Sequence, residues 1–173
     1  MHKDKTRRSR PVLALRIRLA LGVVLGLGVG VLVYKTYDPS LVGHFRTEKG
    51  RRAYAASYAA AMEQLPTPTR SMDLQTDFGT VRVYEFASAR TRRSVPVVLL
   101  SGRTSGAPMW EANLWGLAEE RTVYALDALG DAGMSVQTRK IEDSADQAAW
   151  LEQVLAQLGW PKKVYLVGHS FGG

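Results

Sequence analysis

The sequence predicts an α/β chain: a parallel sheet with helices between its strands, preceded by a single transmembrane helix. Three observations carry that reading. From Val95 onward, short apolar runs alternate with amphipathic segments, which implies a parallel sheet with right-handed crossovers. The run Val164 to Val167, read as a buried strand, leads into Gly168-His169-Ser170-Phe171-Gly172, a G-x-S-x-G turn. Leu19 to Tyr34 carries no charge at all and follows a strongly basic start.

The basic start also explains the composition. The 173 residues have a formal net charge of +7 and 46% hydrophobic content, enough for one modest domain with appendages. Such a charge suggests a nucleic-acid binder, but its distribution argues against one. Residues 1–18 hold seven Lys/Arg and one Asp, so nearly all of the excess belongs to a tail. Cysteine is absent, and no His/Asp/Glu cluster has ligand spacing, so no metal or cofactor is expected.

The elements follow in order. Residues 1–18 read as a basic cytoplasmic tail and residues 19–35 as a membrane anchor, with Arg16 and Arg18 snorkelling to the headgroups. Tyr34 and Lys35 mark the far interface, and the positive-inside rule puts the N-terminus in the cytoplasm and the rest outside. A cleavable signal peptide is the first alternative, although the run lacks an A-x-A-like site. A buried soluble helix is the second, weakened by the glycines. Gly22, Gly26 and Gly30 form overlapping G-x-x-x-G, a weak signal for helix pairing in so glycine-rich a run.

Asp38-Pro39-Ser40 breaks the helix, and residues 36–70 read as a linker with a juxtamembrane helix. That helix spans Arg51 to Leu65, with Tyr54, Tyr58, Met62 and Leu65 on one packing stripe. His44 reads as a solvated linker residue. Residues 71–173 read as the α/β domain. Met72–Thr76 and Thr80–Ala87 flank Asp77-Phe78-Gly79 as a hairpin. Ser88–Ser94 reads as a solvated loop. Val95–Leu100 and Val123–Asp127 are strands, and Met109–Glu119 and Asp143–Leu158 are helices, the last stopped by Pro161. In the last helix Ala145, Ala148, Ala149, Leu151, Val154, Leu155 and Leu158 are expected inward. Functional loops of such a sheet gather at the carboxyl ends of its strands. Gly102-Arg103, Gly130-Asp131 and Ser170 all fall there.

The G-x-S-x-G spacing has a physical reason. A sharp strand-to-helix turn forces the serine into a strained backbone conformation and brings the flanking chain together, so Gly168 and Gly172 avoid a collision. The hydroxyl is lifted above the sheet, and the Phe171 amide points where an oxyanion would form.

With these features in hand, residues 72–173 resemble the α/β-hydrolase family. The strand ending Leu99-Leu100-Ser101-Gly102, followed by Met109-Trp110, is similar to the family's oxyanion loop. Asp127-Ala-Leu-Gly130-Asp-Ala-Gly133-Met-Ser135 is similar to its D-x-x-G-x-G-x-S loop, one residue longer, and Gly168 to Gly173 matches its nucleophile elbow. Ser101 stands where the family usually has histidine, a departure expected to loosen the loop.

The resemblance implies the first half of an α/β-hydrolase fold, with Ser170 as nucleophile and the Phe171 and Arg103 amides as oxyanion donors. In the family order the acid and histidine follow the serine. His2, His44 and His169 all precede it, so the resemblance implies an incomplete chain, inactive by itself. Its parent would be a membrane-anchored serine hydrolase of an ester-like acyl substrate. Asp127 and Asp131 read as loop-ordering acceptors, and the Arg103 side chain as solvated or as favouring an anionic substrate group. A membrane-tethered, non-catalytic binding module is the alternative. Acyl transfer or cofactor-free haloperoxidation on the same fold is a third reading. Dehalogenase and epoxide hydrolase chemistry are disfavoured, because those relatives carry aspartate at the elbow.

Overall fold

The computed structural model describes residues 9–36, 40–159 and 163–173. The basic residues among the first eight positions, the Asp38-Pro39 break and the Pro161 stop lie outside the described residues, as do the side chains of Arg10 and Lys35. The chain divides into two units, Met1–Ser40 and Leu41–Gly173.

The first unit carries helix α1, Ser9–Thr36. Its stretch Leu15–Tyr34 is exposed throughout and, at 20 residues, long and apolar enough to cross a membrane. A helix of this kind near the N-terminus fits a membrane span and a signal sequence alike.

In the second unit, α2 covers Glu48–Met62. It starts three residues before the predicted Arg51, because Thr47 Oγ1 accepts the Gly50 amide at 3.0 Å and caps the first turn. Tyr58 and Leu65 are buried, with Tyr54 and Met62 packed beside them, so the stripe is core. The segment read as a linker therefore contributes a helix to the same compact unit as the sheet.

Strands β1 (Arg70–Thr76) and β2 (Gly79–Phe86) pair antiparallel from Arg70 opposite Glu85 to Thr76 opposite Gly79. Beyond them lie β3 (Val97–Leu100), α3 (Glu111–Glu120) and β4 (Val123–Leu126). These are followed by β5 (Val136–Gln137), α4 (Ser144–Gln157) and β6 (Tyr165–Gly168). The sheet order is β1-β2-β4-β3-β6, with β5 attached to β2. As expected, β3 runs parallel to both β4 and β6. The two-residue β5 gave no signal in the sequence, being too short to show a period.

Alternation along the strands separates two cores. Val97, Leu99, Val123 and Ala125 pack with Tyr58, Trp110 and Leu114, so α2 and α3 cover one face. Val98, Tyr124 and Leu126 pack with Trp150 and Val154 of α4 on the other.

Three expectations are corrected. The inward face of α4 centres on Trp150 and Val154, one turn apart, which leaves Ala145 and Ala148 exposed. A tryptophan and a valine bury far more apolar area than two alanines, so they set the helix's rotation. Within the loop read as solvated, Thr91 is 1% exposed, and its hydroxyl accepts the Ser88 amide. Finally, β6, read as a buried strand, is exposed along its whole length: it pairs with β3 alone, and no helix among the described residues covers it.

Candidate active site

The carboxyl ends of β3, β4 and β6 carry three loops, and hydrogen bonds tie them together. After β6 the chain turns at Ser170 with φ of +55°, in the left-handed region that a side chain normally avoids. A Cβ on Gly168 would overlap the Gly172 carbonyl oxygen, and one on Gly172 would lie 2.5 Å from Leu100 O and 2.7 Å from Ser101 O. Both glycines are thus sterically required, as the motif's spacing implied. The turn closes with Gly172 N donating to His169 O at 3.0 Å and Gly173 N to Ser170 O at 3.1 Å. His169 N donates to Leu100 O at 3.1 Å, which joins the elbow to the end of β3.

The loop after β3 passes directly beside it. A Cβ on Gly102 would lie 3.4 Å from Ser170 Cβ and 2.8 Å from His169 Nδ1. This loop contains the only other non-glycine residue with positive φ among the described residues, Thr104 at +59°. Asp131 holds it there: its Oδ1 accepts the amides of Thr104 at 2.6 Å and of Ala132 at 2.7 Å. Gly102 N donates to Met109 Sδ, and Ser105 Oγ donates to Gly102 O at 2.7 Å. The loosening expected from Ser101 is therefore countered by other anchors. Ser101 is buried, and its hydroxyl has no hydrogen bond among the described residues.

Beneath both loops sits Asp127, fully buried. Its carboxylate accepts from Ala107 N at 2.8 Å, Met134 N at 2.7 Å and Tyr58 OH at 2.9 and 2.8 Å. Its carbonyl accepts from Ser135 Oγ at 2.6 Å. Burial pushes the Asp127 carboxyl up, opposed by the Ala107 and Met134 amides, the Tyr58 hydroxyl and the Arg82 charge. Burial and the Asp127 charge push the Tyr58 hydroxyl up as well, so it remains a donor. Nearby, Tyr54 OH accepts the Gly133 amide at 2.6 Å. Both aspartates order loops, as their positions suggested. The tyrosine partners escaped sequence reading, because 69 residues separate Tyr58 from Asp127.

The site thus gathers Ser170, Phe171, Gly102 and Arg103. The amides of Phe171 and Arg103 donate no hydrogen bond among the described residues. No hydrogen bond joins Ser170 Oγ to His44 or His169, and His44 Nδ1 lies 3.0 Å from Val42 O instead. His2 lies outside the described residues. Among the described residues no three His, Asp or Glu side chains group as metal ligands.

Residues 95–173 match the family model described as the alpha/beta hydrolase fold. The chain has the α/β-hydrolase fold. It is 28% identical over 126 residues to carboxylesterase YbfK of Bacillus subtilis, covering 73% of this chain and 41% of that protein. It is 35% identical over 160 residues to the abhydrolase domain-containing protein lid-1 of Caenorhabditis elegans, covering 90% and 42%. The crystal structure of naproxen esterase (carboxylesterase NP) from Bacillus subtilis superposes with a TM-score of 0.66 at 27% identity, covering 75% of this chain and 44% of that one. The chain spans about two fifths of the length of these relatives.

Proposed function

We propose that the protein carrying this chain is a membrane-anchored serine hydrolase that cleaves an ester-like substrate through an acyl-enzyme. The observation that carries the proposal is Ser170 itself: a left-handed serine between two sterically required glycines, beside Gly102 of the loop after β3. In this reading Ser170 Oγ attacks the carbonyl carbon and a histidine takes its proton. The amides of Phe171 and Arg103 receive the oxyanion. Collapse of the tetrahedral intermediate expels the alcohol, which takes the proton from the histidine, and water then releases the acid. In the order of such triads the carboxylate and the histidine follow the serine. Relatives named carboxylesterases support the ester as substrate class. The apolar stretch Leu15–Tyr34 after a basic start supports the anchor, with the hydrolase domain outside the cytoplasm.

A fluorophosphonate probe applied to the full-length protein tests the chemistry. Labelling is expected, and Ser170→Ala is expected to abolish it along with esterase turnover, by about 10³-fold or more. A folded protein that takes no label would instead favour the non-catalytic tethered module. Alkaline carbonate extraction of membranes tests the anchor: retention in the pellet supports a span, and release of a shortened chain supports a cleaved signal.

A further inference from the structure

We propose that Arg103 makes this site selective for esters that carry a second, carboxylate group, a reading that rests on the hydrolase assignment above. The Arg103 guanidinium carbon lies 4.6 Å from the centroid of the Phe171 ring, the side chain next to Ser170. The backbone beneath it is held on both sides, by Gly102 N on Met109 Sδ and by Thr104 N on Asp131 Oδ1. The side chain therefore leaves a fixed point and lies against the ring beside the nucleophile. A cation over an aromatic face at an exposed site gains only about 0.5–1 kcal/mol. That attraction holds the charge close to the ring without using the guanidinium N–H donors in an ion pair, and those donors can meet a planar carboxylate in two parallel hydrogen bonds.

The charge also lacks a direct ion-pair partner among the described residues. Arg51, Arg52, Arg70, Arg82 and Arg90 all pair with glutamate or aspartate. Arg103 makes no ion pair among the described residues. Asp131 stands nearby, with its Oδ1 taken by the Thr104 and Ala132 amides and no ion pair to Arg103. A positive charge left over the residue after the nucleophile thus meets whatever the bound acyl or alcohol group extends toward Phe171.

The test compares 4-nitrophenyl butyrate with 4-nitrophenyl hemisuccinate, which differ in a terminal methyl against a carboxylate. In the full-length protein Arg103→Gln is expected to lower the ratio of kcat/KM for hemisuccinate over butyrate by about tenfold, the low end for a charge-assisted contact because the guanidinium is exposed. Arg103→Lys should lose less of the ratio, and added salt should shrink it in the parent protein. An unchanged ratio in Arg103→Gln overturns the proposal. Titration calorimetry with succinate gives a readout that needs no turnover. If Ser170 takes no label and neither ester is cleaved, the hydrolase reading fails. Succinate binding weakened by Arg103→Gln would still support the carboxylate site, and no binding, or binding indifferent to the substitution, would overturn it.

Discussion

The elbow and the Asp127 cluster lie at the carboxyl ends of β6 and β4, on either side of β3, yet they are stabilised in opposite ways. At the elbow the chain is held by the absence of atoms: Gly168 and Gly172 leave room for Leu100, Ser101 and one another, and Ser170 sits at positive φ. At Asp127 it is held by satisfied polar groups, with two backbone amides and the Tyr58 hydroxyl donating to one buried carboxylate. The strained turn faces solvent, where a substrate can reach it, and the satisfied cluster lies beneath, where a missing donor would be costly. Strain at a site persists only where the surroundings over-determine it, and at the elbow those surroundings are the end of β3, through Leu100 and Ser101, and the turn's own hydrogen bonds.

Changes at each pole break the comparison in distinguishable ways. Gly172→Ala should have the largest effect, about 3 kcal/mol or more of destabilisation, because the new Cβ meets two backbone carbonyls that cannot swing aside. A urea midpoint that does not move would show that the close approach is dispensable.

Next comes Tyr58→Phe, which removes one donor from a buried charge and should cost about 2 kcal/mol. Its pH dependence is the sharper readout. Burial raises the Asp127 pKa above the ordinary value of 3.8, so its ionisation costs stability as pH rises from 3.8 through the raised value. The Tyr58 hydroxyl opposes that shift. Its loss should therefore destabilise more at pH 7 than at acid pH, where Asp127 is protonated in both proteins. Equal costs at both pH values would mean that Tyr58 acts through packing alone.

Ser170→Gly should go the other way, gaining about 1 kcal/mol in thermal or urea unfolding while activity disappears, since glycine tolerates positive φ. A loss of stability would show that the serine is not strained.

The smallest effect marks the outer edge of the comparison. Asp73 pairs with Arg82 at 2.6 Å, and that hydrogen bond lowers its pKa, although half of its side chain is exposed. Its contribution is present above pH 3.8 and lost as pH falls through the lowered value. Asp73→Asn should cost about 0.5 kcal/mol at pH 7, fading in acid, and a cost above 2 kcal/mol would place this surface pair alongside the buried cluster.

What sequence alone determined was local. The hairpin at Asp77-Phe78, the strands on either side of α3, and the turn at Ser170 each depend on a few consecutive residues whose periodicity or glycine spacing is legible in one dimension. The convergence of three loops was legible too, because parallel strands put their carboxyl ends on one side of the sheet. What needed the tertiary structure were the partners: Tyr58 on Asp127, Tyr54 on Gly133, Asp131 on Thr104, and Arg103 over Phe171. A tyrosine on an amphipathic helix reads as packing, and only the folded sheet brings its hydroxyl to a carboxylate 69 residues away. Burial of Asp127 was likewise decided by which elements cover it, a property that no local pattern encodes.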